Sequence, residues 1–215
     1  MKLIFYDLDG TIIDTRKDIA QAANYMREQM GMVPLEEKIV ERYVGHGLQY
    51  LIEGCLETKD QKVIDKGAKH YRRHYEEHML DHSRVYPGVV EVLEYFKDRH
   101  QAVITNKPNP FSDDMLKALK IRPYFKNVIA GNSEFPKKPN PAAILALMKE
   151  TQSAADETLF IGDSLIDIET CRNAGIKIAV LTHGFNDEDT LKSGRPDFIF
   201  ADFIELLKTA KQKKW

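Results

Sequence analysis

The amino-acid sequence predicts an α/β protein, a doubly wound parallel sheet with an all-helical unit inserted near its start. Through most of the 215 residues, short runs of strand character alternate with segments of helical period. That is the pattern of a parallel sheet covered by helices on both faces. From Lys17 to His82 the alternation stops and only amphipathic helical runs remain. A third observation locates the working edge: several apolar runs end abruptly in polar or charged residues. A buried strand admits no charge, so such residues mark its C-terminal end, where open parallel sheets bind ligands.

The first strand is expected over 2–7, where Leu3, Ile4 and Phe5 run into Asp7 and Asp9, followed at once by Gly10 and Thr11. Two carboxylates this close repel unless a cation or a shared proton relieves them, so the pair asks for a metal, a nucleophile or both. The helical stretch comes next, with Ile19, Ala22, Ala23, Met26 and Met30 along one face. Its flanks, Asp14-Thr15-Arg16 and Asp81-His82-Ser83-Arg84, are polar and suit two hinges. The division that follows is a core of residues 1–16 and 83–215 with a helical cap of residues 17–82. Beyond the cap, strands are expected at 101–105, 127–130, 158–162, 176–181 and 197–200, and helices at 87–98, 110–120, 140–150 and 165–174. Pro87, Pro110 and Pro141 mark helix starts, where a missing N–H costs nothing.

Composition narrows the function classes. With 43% apolar and 30% charged residues the chain reads as an ordinary soluble globular protein. Its 31 basic and 33 acidic residues leave a net charge of -2, which gives no footprint for nucleic acid or an anionic membrane. The basic end (Lys208, Lys211, Lys213, Lys214) reads as a solvated, partly frayed tail. Cys55 and Cys171 read as two reduced, buried thiols, and no segment resembles a signal peptide or a membrane span. A cytoplasmic protein, monomer or homodimer, is the expectation. His70, His74, His78 and His82 recur every four residues. Each step turns the helix by about 40°, so the four cannot converge on one metal and read as a solvated face.

Four polar elements end apolar runs or open the segment after them: Asp7-Leu-Asp9-Gly10-Thr11, Thr105-Asn106-Lys107, Lys137-Lys138-Pro139, and Gly162-Asp163-Ser164-Leu165-Ile166-Asp167. Singly each is a common turn or helix start. In this order, at one sheet edge, they resemble the four motifs of the haloacid dehalogenase superfamily, a likeness that spans nearly the whole chain. A helical insertion between the first and second motifs is similar to that family's helical cap, on a Rossmann-like core.

The resemblance implies a Mg²⁺-dependent phosphatase. A phosphate monoester dianion repels nucleophiles, so its site must supply positive charge and align the attack. Asp7 would attack phosphorus, Asp9 would protonate the leaving oxygen and later activate water, and Lys138, the lysine adjacent to Pro139, would offset charge. Thr105 and neighbouring N–H groups, that of Asn106 among them, would hold the phosphoryl oxygens. Mg²⁺ would take Asp7, the backbone carbonyl of Asp9, and Asp163, with Asp167 orienting a bound water or pairing with Lys138. Lys137 is the competing choice for the lysine.

Asp9 argues against the dehalogenases of the superfamily, which lack that carboxylate. Asp14-Thr15-Arg16-Lys17-Asp18-Ile19, Val103-Ile104-Thr105-Asn106-Lys107-Pro108 and Val44-Gly45-His46-Gly47-Leu48 look most like phosphoglycolate phosphatases. The substrate expected is therefore a small phosphorylated metabolite, with Gly45 and His46 on a substrate-facing cap loop and His46 or Arg42 meeting a carboxylate. A β-phosphoglucomutase would carry a histidine where Ile19 stands. A phosphonoacetaldehyde hydrolase would need a cap lysine, and residues 42–58 contain none. The alternatives carried forward are a phosphomutase, a pyrophosphatase or nucleotidase, and, from another class, a non-catalytic binding protein on the same fold.

Overall fold

The computed structural model describes all residues from Met1 to Trp215. β1 (Leu3–Tyr6) is buried throughout. Ile4 and Tyr6 enter the larger apolar cluster on one sheet face, while Leu3 and Phe5 enter a second cluster on the other. A strand with both faces covered shows this alternation without any polar position. The chain then turns at Gly10, whose φ of 79° favours glycine, into β2 (Ile13–Asp14).

Four helices follow, with no strand among them: α1 (Arg16–Gln29), α2 (Glu37–Glu41), α3 (Leu48–Leu56) and α4 (Gln61–His78). Met26, Val40, Ile52 and Tyr71, one from each helix, join the larger apolar cluster. The chain returns through β3 (Arg84–Val85), which pairs antiparallel with β2, Ile13 opposite Val85 and Asp14 opposite Arg84. Two-residue strands show no period, so this ribbon was not foreseen. Asp18 of α1 fastens the return, accepting from the N–H groups of His82 (3.0 Å) and Ser83 (2.7 Å) and from the Ser83 hydroxyl (2.7 Å).

The remainder alternates: α5 (Val89–Tyr95), β4 (His100–Ile104), α6 (Phe111–Ala118), β5 (Asn127–Ile129), α7 (Ala142–Thr151), β6 (Thr158–Gly162), α8 (Leu165–Ala174), β7 (Lys177–Leu181), α9 (Glu188–Ser193), β8 (Phe198–Phe200) and α10 (Phe203–Lys213). The six strands form one parallel sheet in the order β5-β4-β1-β6-β7-β8. From central β1 the chain fills one side with β4 and β5, then crosses to fill the other. That reversal opens a crevice at the C-terminal ends of the central strands.

Two expectations need correction. Pro110 and Pro141 occupy the capping positions of α6 and α7 rather than their first turns, and α5 begins two residues after Pro87. The basic C-terminal end is not frayed. Phe203, Leu206 and Ala210 anchor α10 in the core, leaving Lys208, Lys211 and Lys213 on its outer face. α9, six residues with only Leu191 buried, is too short to show a helical period in the sequence. Cys55 and Cys171 are free and buried, and no helix is long and apolar enough to cross a membrane.

Candidate active site

Register brings the motifs together. Tyr6 pairs with Val103 on one side and Ile161 on the other. Asp7, Thr105 and Asp163 therefore leave three neighbouring strands within one residue of the same level. Lys138 arrives from the loop before α7, and Asp167 from the first turn of α8.

The result is a buried charge cluster. The Lys138 ammonium lies 2.8 Å from Asp7 Oδ1 and 2.7 Å from Asp167 Oδ1. Burial pulls the Lys138 proton affinity down, but Asp167 and Asp7 more than offset this and raise it. Asp167 is fully engaged, since its Oδ2 accepts from the Ser164 hydroxyl (2.6 Å), the Ser164 N–H (3.1 Å) and the Asp163 N–H (3.2 Å). It closes the capping box of α8 with Ser164 while pairing with Lys138. Of its two expected roles, the pairing with Lys138 is present.

Asp7 and Asp163 are held differently. The Lys138 approach to Asp7 Oδ1 lacks hydrogen-bond alignment, leaving that buried oxygen without a donor. Burial pushes the Asp7 carboxyl up to about 7, against the pull of Lys138 and with Asp167 adding to the rise. Burial and the nearby Asp167 and Asp7 also raise Asp163, partly countered by the Thr11 hydroxyl on Oδ1 (2.6 Å) and the Phe185 N–H on Oδ2 (2.8 Å).

Carboxylate oxygens of Asp7, Asp163 and Asp167 all lie within 4.8 Å of one another. Three carboxylates face one ammonium, so the ionised cluster carries two negative charges in excess. A divalent cation would cancel that excess, and an all-oxygen donor set suits a hard one. The residues fit such an ion, with Asp7 and Asp163 as the carboxylates free to bind it.

A cleft between the sheet edge and the helices opens above this cluster. Asp7, Asp9, Thr105 and Lys107 line its lower side, and Gly45, Leu48 and Tyr75 its upper side. Asp9 is not alone: Lys107 donates to its Oδ1 (2.9 Å) and to the Tyr75 hydroxyl (2.6 Å). Lys107 thus links the acid of the first motif to α4. The sequence places it directly after Thr105-Asn106, but nothing there shows that it turns toward Asp9.

Asn106 lines the cleft, yet its side chain is a brace. Nδ2 donates to the carbonyls of Gly45 (2.8 Å) and Lys138 (3.0 Å), while Oδ1 accepts from the Lys138 N–H (2.9 Å). Its side-chain amide is spent on these loops, which leaves the backbone N–H as its means of meeting a phosphoryl oxygen. His46 departs from expectation. It is exposed, packs at a tilt against Tyr50 with ring centroids 4.5 Å apart, and is absent from the cleft lining that Gly45 and Gly47 supply. Arg42 is exposed as well, and Lys137 is exposed where Lys138 is buried. Of the four spaced histidines, His74 and His78 lie with ring centroids 4.4 Å apart, His74 also packs 4.6 Å from the Tyr25 ring, and His78 pairs with Asp81.

Fold and site together define a hydrolase built around a buried aspartate at the edge of a doubly wound sheet. Residues 4–181 match the haloacid dehalogenase-like hydrolases, and the chain belongs to that family. Among its relatives, a phosphoglycolate phosphatase of Vibrio parahaemolyticus is 36% identical, over 97% of this chain and 95% of that protein. Phosphoglycolate phosphatase 1 of Pseudomonas aeruginosa is 30% identical, over 98% and 80% respectively. A solved structure described as a predicted phosphoglycolate phosphatase from Haemophilus somnus superposes with a TM-score of 0.92 at 30% identity, covering 98% of both chains.

Proposed function

We propose that this chain is a Mg²⁺-dependent phosphatase that hydrolyses a small phosphate monoester through a phosphoryl group carried on Asp7, with phosphoglycolate as the leading substrate. The observation that carries the reading is the buried Asp7 at the mouth of a small cleft, facing Lys138 and sharing an excess of negative charge with Asp163. Mg²⁺ would be held by Asp7, Asp163 and the backbone carbonyl of Asp9, and when bound it supplies the positive charge that draws a phosphate dianion to a carboxylate.

The residues divide the work. An oxygen of Asp7 attacks phosphorus as the bond to the leaving oxygen breaks, giving an aspartyl-phosphate and an alkoxide. Asp9 hands its proton to that alkoxide. In the second half, water attacks the aspartyl-phosphate, Asp9 takes the proton back, and phosphate leaves as Asp7 is restored. Lys138 holds charge against Asp7 throughout, and the Thr105 hydroxyl donates to a phosphoryl oxygen. Residues 17–82 act as a cap over the cleft, excluding bulk water and selecting by size.

The choice of substrate rests on the relatives, which are named phosphoglycolate phosphatases, and on the size of the cleft. Its one cationic side chain, Lys107, is paired with Asp9, and Ile19, Val44, Leu48 and Leu51 supply apolar wall. A short substrate suits that arrangement better than a long one. The test is phosphate release from a panel of small monoesters including phosphoglycolate, with and without Mg²⁺, beside Asp7→Asn. Mg²⁺-dependent release by wild type, highest on phosphoglycolate and absent from the variant, is the expected result. Equal release in every sample would overturn the reading.

A further inference from the structure

Arg16, the first residue of α1, is tied to the loop that holds Asp163. Its Nη2 donates to the carbonyls of His183 (2.8 Å) and Gly184 (3.3 Å) and to the Tyr86 hydroxyl (3.0 Å). Its guanidinium carbon lies 5.8 Å from the centroid of the Phe185 ring. The same loop governs both oxygens of Asp163. Phe185 donates its N–H to Oδ2 at 2.8 Å. His183 Nε2 sits 3.1 Å from the carbonyl of Thr11, whose hydroxyl donates to Oδ1 at 2.6 Å. Gly184 packs so tightly that a Cβ there would lie 2.3 Å from the Asp163 side chain, so the loop closes that side of the carboxylate.

The second hinge grips the same loop. Tyr86 follows β3 directly, and its ring stacks on His183 with centroids 4.0 Å apart. Asp14 completes the hinge, 3.2 Å from Arg16 Nε and 3.6 Å from Arg84 Nη2. Both connections to the helical unit therefore meet residues 183–185. A planar guanidinium presents its donors in a fixed fork and its flat face to a ring, an arrangement that an ammonium on a flexible stem holds less well.

We propose that Arg16 is a positioning residue, clamping the loop from His183 to Phe185 and thereby fixing the Asp163 carboxylate for its cation, so that hinge geometry and metal affinity are coupled. The inference rests on Asp163 being a metal ligand. Linkage makes the coupling reciprocal: a cap position that tightens the Arg16 contacts strengthens metal binding, and bound metal favours that cap position by the same factor.

The test needs no turnover. Mn²⁺ binding is measured by electron paramagnetic resonance on full-length wild type, Arg16→Met, Arg16→Lys, Tyr86→Phe and Asp163→Asn. Arg16→Met is expected to weaken Mn²⁺ binding about tenfold, the usual consequence of removing a group that orients a ligand. Arg16→Lys should fall between wild type and Arg16→Met, Tyr86→Phe should lose about threefold, and Asp163→Asn the most. Amide exchange over residues 182–186 should quicken in metal-free Arg16→Met. Arg16→Met within twofold of wild type, while Asp163→Asn loses binding, would overturn the clamp alone. Asp163→Asn binding as wild type would overturn the ligand assignment and the clamp with it. Should Arg16→Met fail to fold, an unchanged affinity in Tyr86→Phe overturns the clamp and a threefold loss supports it.

Discussion

The floor of the cleft and its roof are built on opposite principles. In the floor, Asp7, Lys138, Asp163 and Asp167 sit on or beside sheet strands, nearly all their polar atoms are engaged, and every charge is buried. In the roof, Gly45, Gly47, Leu48 and Leu51 offer backbone and apolar surface, while Arg42 and His46 are exposed to solvent. Lys107 and Tyr75 join the two. Chemistry needs fixed charges held against their own repulsion, and selection needs shape. Damage to the floor should therefore remove the reaction, and damage to the roof should only redirect it.

The largest effect falls on the nucleophile. Asp7→Asn should lower kcat by about 10⁴-fold or more on every phosphate ester, read by phosphate release. Lys138→Met should follow. It leaves three buried carboxylates without their ammonium, and kcat/KM should drop about 10³-fold. Chemical denaturation in EDTA should show a loss of about 3–5 kcal/mol, the usual cost of breaking a buried pair. Asp9→Asn tests the proton step. Turnover of an alkyl phosphate should fall about 10²–10⁴-fold, while p-nitrophenyl phosphate, whose leaving group needs no proton, should lose far less. Equal losses on both would make Asp9 a structural partner of Lys107.

A smaller effect separates floor from roof by pH. Burial raises Asp7 from 3.8 to about 7, so the folded metal-free protein holds a proton that the unfolded chain has already released. Asp7 therefore adds stability in acid, and that stability is lost as pH rises from about 4 through about 7. In EDTA, wild type should melt lower at about pH 8 than at about pH 5, and Asp7→Asn should melt about 4 °C above wild type at the higher pH. Saturating Mg²⁺ should close that gap. The smallest effect belongs to the roof: His46→Ala should leave the order of preference among small esters unchanged and kcat/KM within about twofold.

The same contrast explains what the sequence made legible. The floor comes from short local motifs, and parallel pairing of β1 with β4 and β6 carries their ends to one place. Asp7, Thr105, Lys138, Asp163 and Asp167 could thus be found as a set, and the six sheet strands with them. The roof depends on which way side chains leave a loop, which spacing does not encode. The motif points His46 into the cleft, yet its ring packs at a tilt against Tyr50, while the Asn106 side chain braces two loops. Lys107 and Arg16 stood inside motifs already singled out, but their partners, Tyr75 and the carbonyls of His183 and Gly184, are distant in sequence. The β2–β3 ribbon escaped notice because two residues carry no period.

The central claim is that the phosphoryl group passes through Asp7. Acid quenching of wild type during turnover of phosphoglycolate with Mg²⁺, followed by peptide mass spectrometry, addresses it directly. The account predicts a phosphoryl increment on the peptide containing Asp7, present during turnover, gone once substrate is exhausted, and missing from Asp7→Asn. Phosphate release at full rate with no covalent phosphoryl at any quench time, or with the increment on another residue, would contradict it.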